Sequence, residues 1–362
     1  MLTKADDFPI HQRAEPIAFA GTDRNFYDRY FFNGYSADGR LFFAAAMGIY
    51  PHLNVTDAAF SLVHGGKQRS VLASRLLGFE RMDTQVAPIS VTVEEPLQRL
   101  RLTLAPNDSG IEAELVFDGR AFPIEEPRFT RRIGTRTLMD VTRMTQNGRY
   151  TGWISLDGQR HDVAGMLGTR DRSWGVRPIG AADPQPPVPM AMPQFYWLWA
   201  PLNFPTHQLY FHTNDDGDGQ PWNRSMLLIG PDGTPRKLWD VRSKLSFKPG
   251  TRHASAATIE GTGTDGPVKV ELTVHDTFFM QGIGYGHPTR AHGTFHGEHS
   301  VVTETIDTAT ADEGTIPLNH IQALVTAKLT LPGGQEDGRG VLEQLIIGPH
   351  APSGFTGIFD LA

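Results

Sequence analysis

The stretch "GTRDRSWGVRP", residues 168–178, places three arginines around one carboxylate and one indole. A solvated loop does not need that much guanidinium beside a large ring, and an apolar core does not accept unpaired charge. One interpretation makes Asp171 a general acid or base, because burial would raise the pKa of its carboxyl and the arginines would lower it. The alternative is a structural ion pair, with Trp174 closing the end of a sheet.

Strand alternation divides this motif between two surfaces. In an extended strand Asp171 and Ser173 point one way, whereas Arg172 and Trp174 point the other. Arg172 is a candidate to stabilise an anionic intermediate, because a guanidinium attracts developing negative charge. We predict that Trp174 and Arg177 contact the substrate.

A second motif, "GYGHPTRAHGTFHGEHS" at residues 284–300, holds four of the fourteen histidines. Imidazoles can bind zinc, but no carboxylate or cysteine stands at a recognisable ligand spacing. If the stretch is a strand, His292 and His296 face away from His287 and His299. The sequence therefore predicts no metal site.

Proton transfer suits this second motif better, because an imidazole has an unperturbed pKa of ~6.5. Tyr285 and His287 flank a glycine that leaves room for a substrate, and Arg290 can stabilise a developing phenolate or enolate. We predict His287 as a proton-transfer residue, Tyr285 and Arg290 as stabilising groups, and His292 as a binding residue. The alternative is a solvated hairpin whose histidines have no catalytic role.

Aromatic residues form a third candidate surface in "FYWLWAPL", residues 195–202. Trp197 and Trp199 share one strand face and can form a flat apolar wall for a ligand, or equally a core layer. In the following "LYFHTND", Tyr210 and His212 share a face and would lie near that wall if the two strands pair. We predict His212 as the second proton-transfer residue and the other three as binding residues.

Strands must position these candidates. Period-two alternation of apolar residues is clear over 89–119 and returns in the second half of the chain, with Gly and Pro turns between runs. This pattern predicts an all-β protein of antiparallel strands closed into barrels or sandwiches, with little helix beyond a short one allowed over 130–146.

The prolines of "IGAADPQPPVPMAMPQ" suggest a linker at 179–194, because they forbid both regular helix and central strand. The predicted domains are therefore 1–178 and 195–362. The order of aromatic strands and Gly turns is similar on both sides of the linker, which suggests two similar β units.

Composition excludes several classes of function. The formal charge of −7 leaves no basic surface for nucleic acid. There are no cysteines, hence no disulfide and no thiolate nucleophile. No run approaches the about 20 apolar residues of a membrane span, and the N-terminus does not read as a secretory signal. A cytoplasmic location is expected, and the oligomeric state stays open, with a homodimer as one alternative.

The motifs resemble those of the lipocalin-like carotenoid 1,2-hydratase superfamily, most of all its bacterial members of unassigned function. The resemblance rests on Arg-Asp-x-Ser-Trp-Gly-x-Arg at 170–177, on Gly-x-Gly-Tyr-x-His-Pro at 282–288 with His-Gly at 292–293, and on "GRGVLEQLIIGP" at 338–349. It implies two lipocalin-like (calycin) barrels packed side by side. Characterised members, among them carotenoid hydratase, kievitone hydratase and fungal Diels–Alderases, act without a redox cofactor on isoprenoid, polyketide or phenolic molecules.

The resemblance leaves two classes of function open. The first is a cofactor-independent lyase or isomerase, of the hydratase, dehydratase, retro-aldol or cyclase type, acting on a hydrophobic phenolic or isoprenoid molecule in a pocket between the barrels. The second is a non-catalytic carrier of the same kind of ligand. His212 stands where the hydratase pattern has an acid, which disfavours protonation of an alkene. The titratable residues on the aromatic strands favour the enzyme.

Overall fold

The computed structural model describes residues 4–9, 18–19, 21, 23–183 and 193–362. Strand accounts for 60% of the described residues and helix for 4%, so the predicted all-β fold is confirmed. The described residues contain no helix long and apolar enough to cross a membrane. In the described part, helical turns are short and of the 3-10 type: Lys4–Asp7, Pro51–Leu53, Met280–Ile283, Ile316–Leu318 and Ala351–Ser353.

The strands run in chain order as β1 (Phe26–Tyr35), β2 (Phe42–Tyr50), β3 (Val55–His64), β4 (Lys67–Leu76), β5 (Gln85–Val86), β6 (Ile89–Glu95), β7 (Arg99–Leu104), β8 (Ile111–Gly119), β9 (Ile124–Glu125), β10 (Phe129–Ile133), β11 (Arg136–Leu156), β12 (Gln159–Asp162), β13 (Met166–Val176), β14 (Phe195–Asn203), β15 (Gln208–Asp215), β16 (Pro221–Ile229), β17 (Pro235–Lys237), β18 (Trp239–Phe247), β19 (Ala254–Gly263), β20 (Gly266–Phe279), β21 (His299–Asp307), β22 (Ile321–Leu331) and β23 (Gly334–Ile347). The predicted meander over 89–119 is confirmed as β6, β7 and β8.

The chain divides into two units, which contain one nearly closed barrel and one half-barrel sheet. The first unit comprises Met1–Pro189 and Gln281–Ala309, and the second comprises Met190–Met280 and Thr310–Ala362. Residues 281–309 therefore group with the first unit, whereas the sequence assigned them to a C-terminal barrel. The reason is β21, which pairs with β4 at the edge of the first sheet. Of the predicted linker, residues 184–192 lie outside the described residues.

The first sheet has the strand order β21-β4-β3-β2-β1-β13-β11-β8-β7-β6-β5, and β9, β10 and β12 pair with β11. It curls until its ends meet, where Arg75 Nε on β4 donates to the Gln85 carbonyl oxygen on β5 at 2.7 Å. The short helix expected within 130–146 is wrong. These residues form the hairpin of β10 and β11, because Gly134, with φ of +57°, makes the turn and the threonines favour extended backbone.

The second sheet has the order β17-β16-β15-β14-β23-β22-β20-β19-β18. In each sheet the first long strand, β1 or β14, pairs with the strand that follows it, and the next two strands continue in chain order on that side. Its other neighbour is β13 in the first sheet and β23 in the second. This shared order agrees with the predicted repetition of one β unit.

Three adjacent glycines make room for an aromatic ring in the first sheet. Gly34, Gly168 and Gly148 lie side by side on β1, β13 and β11. A Cβ at Gly168 would lie 2.7 Å from the Tyr150 ring and 2.1 Å from the Asn33 carbonyl oxygen. The Tyr150 hydroxyl donates to that same oxygen at 2.9 Å. The first glycine of "GTRDRSWG" is thus required by packing.

Replacement of Gly168 with alanine is expected to lower the free energy of unfolding by about 3 kcal/mol, because backbone atoms cannot move away as a side chain can. Urea denaturation followed by tryptophan fluorescence measures the change. Gly333→Ala is the matched control, since nothing lies within 4 Å of its added methyl, and it should change stability by less than about 0.5 kcal/mol. Equal stability of the two variants would contradict the packing argument.

Candidate functional site

The segment that follows β20, residues 281–298, packs on the outer side of β1 to β3 and assembles the candidate site of the first unit. Two contacts fix it. Arg29 Nη2 on β1 donates to the Ile283 carbonyl oxygen at 3.2 Å, and the Gly293 amide donates to Asp57 Oδ2 on β3 at 2.8 Å.

The second motif is therefore a loop over 284–298, and the predicted strand parity of its histidines is wrong there. Glycines with positive φ break the extended backbone, at +93° for Gly284 and +73° for Gly293. Only His299 begins a strand. In the part of the chain that the structure describes, no group of His, Cys, Asp and Glu side chains could hold a metal ion.

Arg29 is the central cation of this site, and only 2% of it is exposed. Its Nη1 lies 2.7 Å from His292 Nδ1 and 2.6 Å from His292 Nε2, and His292 Nε2 lies 2.8 Å from the Ile283 carbonyl oxygen. These contacts hold the imidazole ring against the guanidinium in one orientation. A binding role for His292 stays a prediction.

Tyr285 packs between two guanidiniums. The guanidinium carbon of Arg29 lies 4.7 Å from the centre of the Tyr285 ring, and that of Arg177 lies 5.6 Å from it. Arg177 also stacks on Tyr27 at 4.4 Å. The Tyr285 ring meets the His292 ring edge to face, with centroids 4.4 Å apart. Three residues that the sequence singled out, Tyr285, His292 and Arg177, therefore come together here.

Asp57 supplies the carboxyl group of this site. Its Oδ2 accepts from the Gly293 amide, and its Oδ1 accepts from the Tyr50 hydroxyl at 3.3 Å. Burial raises the pKa of Asp57 to about 6, although the Arg29 charge and these hydrogen bonds oppose the rise. Burial likewise raises the pKa of Tyr50 well above its usual value, so its hydroxyl keeps its proton.

A cavity of about 20 Å³ opens beside this carboxyl, which is room for about one water molecule. Asp57, Arg29, His292 and Arg290 line it together with small apolar side chains: Ala46, Ala58, Ala59, Leu72 and Ala73. A carboxyl with a raised pKa, a buried guanidinium and an imidazole thus converge on one small cleft with an apolar lining.

His287 lies in the same loop, but its ring is fully engaged. Its Nε2 is 2.8 Å from Glu304 Oε2, and its Nδ1 accepts from the amides of Thr289 and Arg290 at 3.1 and 2.8 Å. Arg290 Nη1 in turn donates to Ser300 Oγ at 2.7 Å. Proton transfer by His287 stays a prediction, and these contacts favour a role in positioning the loop.

Two variants separate the roles of His287. If it positions the turn, His287→Ala should cost about 1–3 kcal/mol of stability, because two amides lose their acceptor. His287→Asn should recover most of that loss, since an Asn side-chain oxygen accepts from amides two or three residues on. Thermal denaturation checks this. If His287→Asn is stable but its kcat falls by about 10²-fold or more, the proton-transfer role is the correct one.

The first motif, residues 168–178, lies elsewhere in the first unit. Its side chains alternate between the two sides of the sheet as predicted. Arg172 is fully buried on the inner side of the sheet, with Nη1 2.6 Å from Asp28 Oδ1 and its guanidinium carbon 4.0 Å from the centre of the Tyr30 ring. Asp171 is half-buried on the opposite side. Trp174 lies across from Asp28 and is half-buried. The carboxylate that pairs with Arg172 is therefore Asp28 and not Asp171, and catalysis by Asp171 stays a prediction.

The aromatic wall lies in the second unit. Tyr196 and Leu198 point into the core, so Trp197 and Trp199 point to the opposite side, as predicted. His212 on β15 pairs in register with Trp199, and its ring centroid is 5.9 Å from that of Trp197. His212 Nε2 lies 3.2 Å from Asn223 Oδ1, and the Tyr210 hydroxyl donates to Gln208 at 3.1 Å.

The buried carboxylate of Glu343 contacts this aromatic wall. It accepts from Trp197 Nε1 at 2.9 Å, from His320 Nε2 at 2.9 Å and from Gln322 Nε2 at 2.7 Å. Burial favours its neutral form, but the bonds from His320, Gln322 and Trp197 outweigh burial and lower the pKa of Glu343. Glu343 is thus an ionised acceptor that fixes the wall, and it is not poised to donate a proton.

Sequence reasoning missed Arg29, Tyr50 and Asp57. Arg29 lies in "FYDRYFFNGY" and Asp57 in "VTDAAF", where most neighbouring residues are apolar or aromatic, and Tyr50 ends the apolar strand "FFAAAMGIY". A charged side chain within such a buried strand was the available signal, because charge is rarely buried without a partner.

The fold matches the one that the resemblance of the motifs implied. The chain belongs to a family of unknown function, DUF8625, whose model matches residues 2–356. A search of curated protein sequences found no match.

Solved structures share this fold at low sequence identity. Kievitone hydratase from Nectria haematococca is 10% identical with a TM-score of 0.55, over 88% of each chain. A putative AttH from Nitrosomonas europaea is 14% identical with a TM-score of 0.54, over 93% of this chain and 98% of that one. CghA in complex with Sch210972 is 10% identical with a TM-score of 0.51, over 90% and 89%. Similarity at these identities establishes the fold alone.

Proposed function

We propose that this protein is a cofactor-independent lyase or isomerase that uses acid–base chemistry on a hydrophobic phenolic or isoprenoid molecule. The observation that carries the proposal is Asp57, whose carboxyl has a pKa of about 6 and lines, with Arg29 and His292, a cleft with room for about one water molecule. Water is the molecule that such a lyase adds or removes, and the organic substrate would meet the carboxyl at the mouth of the cleft. General acid–base catalysis is most effective when the pKa of the catalytic group is near the working pH. An ordinary surface aspartate, with a pKa near 4, would be ionised and a poor acid.

The same carboxyl can serve both halves of a dehydration. Protonated Asp57 transfers its proton to the leaving hydroxyl, the C–O bond breaks, and water departs with the bonding electron pair. The resulting carboxylate then takes the proton from the adjacent carbon, and the C–H electrons form the double bond. Asp57 ends as it began, and hydration is the same path reversed. Arg29 lines the same cleft, where its positive charge stabilises the carboxylate that Asp57 becomes after it has given up its proton.

Two relatives in structure support an enzyme on this fold. One is named as a hydratase, and CghA is a Diels–Alderase. Both activities reorganise carbon skeletons or their hydroxyl groups, which agrees with a lyase or cyclase.

A non-catalytic carrier is the second candidate, and one observation favours it. A cavity of about 760 Å³ opens among the hairpin turns of the second unit, a volume typical of small-molecule sites. Apolar side chains line it, Leu228, Leu238, Val268 and Leu331, with His207 and Glu336 beside them. A carrier would hold its ligand here without changing it.

Incubation with a bacterial metabolite extract, followed by mass spectrometry, distinguishes the two functions. The enzyme should deplete one compound and form a product that differs in mass by water or is an isomer or fragment of it. Asp57→Asn should leave that compound intact, whereas Asp108→Asn, at an exposed turn, should behave like the wild type. A compound that is bound but recovered unchanged supports the carrier, and equal turnover by Asp57→Asn refutes the role of this carboxyl.

A further inference from the structure

One buried cation near the end of the first sheet has no carboxylate of its own among the described residues. Arg172 is paired with Asp28, and Arg170 Nη1 lies 2.5 Å from Asp7 Oδ1. A third guanidinium, Arg81, belongs to the turn between β4 and β5 and is only 2% exposed. The carboxylate whose charge acts on Arg81 is Asp28, which Arg172 already binds.

Both terminal nitrogens of Arg81 lack a hydrogen-bond partner within the described residues, and so does Nε of Arg172. Buried guanidinium donors without acceptors are costly, and buried charges in proteins are almost always paired. Two terminal nitrogens in one plane match the two oxygens of a carboxylate, which a guanidinium binds in bidentate fashion. A carboxylate would therefore accept hydrogen bonds from both terminal nitrogens of Arg81.

Two exposed apolar side chains lie on the turn that carries Arg81. Phe79 and Met82, on the same turn as Arg81, are 76% and 45% exposed. Large exposed apolar side chains that cluster on one turn are typical of a surface that contacts a ligand or partner. The turn itself is anchored, because Arg75 Nη2 donates to the Asp83 carbonyl oxygen at 2.8 Å.

We propose that Arg81 binds the carboxylate of a small aromatic acid at this end of the first sheet, with Arg172 adding positive charge and Phe79 and Met82 contacting the apolar body. The site is distinct from the Asp57 cleft and does not depend on the proposed reaction. Its ligand is a monoanion, because Arg81 contributes the one charge that Asp28 and Asp7 leave unbalanced.

Isothermal titration calorimetry of the full chain with 2-naphthoate and with 2-naphthylmethanol tests whether binding requires a negative charge on the ligand. These probes share a ring system, and only the first is an anion. We expect 2-naphthoate to bind one site at least tenfold more tightly than the alcohol. Arg81→Met keeps the apolar stem of the side chain without its charge, and it should weaken 2-naphthoate binding at least tenfold without affecting binding of the alcohol. Arg40→Met, which removes an exposed guanidinium of the same unit, is the control.

Thermal denaturation without ligand supplies the second measurement. Arg81→Met should melt at a higher temperature than the wild type, because it removes a buried unpaired charge. Addition of 2-naphthoate should raise the melting temperature of the wild type and of Asp57→Asn, but not that of Arg81→Met. Equal affinity for both probes, unchanged 2-naphthoate binding by Arg81→Met, or a lowered melting temperature of that variant would each overturn the proposal.

Discussion

Asp57→Asn should reduce kcat by about 10²- to 10⁴-fold, the usual contribution of a general acid or base. The asparagine has the same shape, and its side-chain oxygen can still accept from the Gly293 amide, so the cleft should keep its form. The wild-type rate should change with an apparent pKa near that of the carboxyl, about 6, and the residual rate of the variant should not. Kinetics across pH 4–8, with Asp108→Asn as control, check both expectations.

The same substitution should stabilise the protein at neutral pH. The folded pKa of Asp57 is about 6 against an ordinary value of 3.8, so folding keeps a proton that the unfolded chain releases. Stability therefore falls as pH rises from about 4 to about 6, by about 3 kcal/mol in total. Asp57→Asn removes this fall, and urea denaturation at pH 4 and pH 7 measures it. If the variant shows the same loss between these two values, the carboxyl is not the group with the raised pKa.

The fold could be inferred from the sequence because strands leave a periodic signal. The alternation over 89–119 fixes which side chains face the core, and the meander follows from it. The loop over 284–298 could not be foreseen in the same way. Its conformation is set by glycines with positive φ and by contacts with Arg29 and Asp57, which are more than 200 positions away in the chain.

The candidate site, too, could be predicted only in part from the sequence. The motif "GYGHPTRAH" revealed Tyr285 and His292, because aromatic and titratable residues concentrate there. Asp57 has no such neighbours in sequence, and its importance comes from burial under a loop that folds back onto β3. A pKa depends on which atoms exclude water from the carboxyl, and strand periodicity alone does not specify that.

Asp7→Asn should be the most destabilising of the isosteric substitutions named here, at about 3–5 kcal/mol, because it breaks a fully buried ion pair. Asp7 binds Arg170 through both carboxylate oxygens and accepts from the Leu97 amide, and its carbonyl oxygen accepts from the Tyr30 hydroxyl at 2.6 Å. With asparagine, the Arg170 guanidinium is left buried without its counter-charge.

Equilibrium unfolding in urea measures this loss, with Asp38→Asn as the control. Asp38 pairs with Arg40 on the surface, where a salt bridge contributes about 1 kcal/mol at most. The double variant Asp7→Asn/Arg170→Met should be more stable than Asp7→Asn alone, because it also removes the unpaired cation. If it is not, or if Asp7→Asn costs less than about 1 kcal/mol, the pair does not stabilise the fold. If the loss is as large as expected, the 3-10 turn Lys4–Asp7 is a structural part of the first unit, since its carboxylate neutralises a guanidinium on β13.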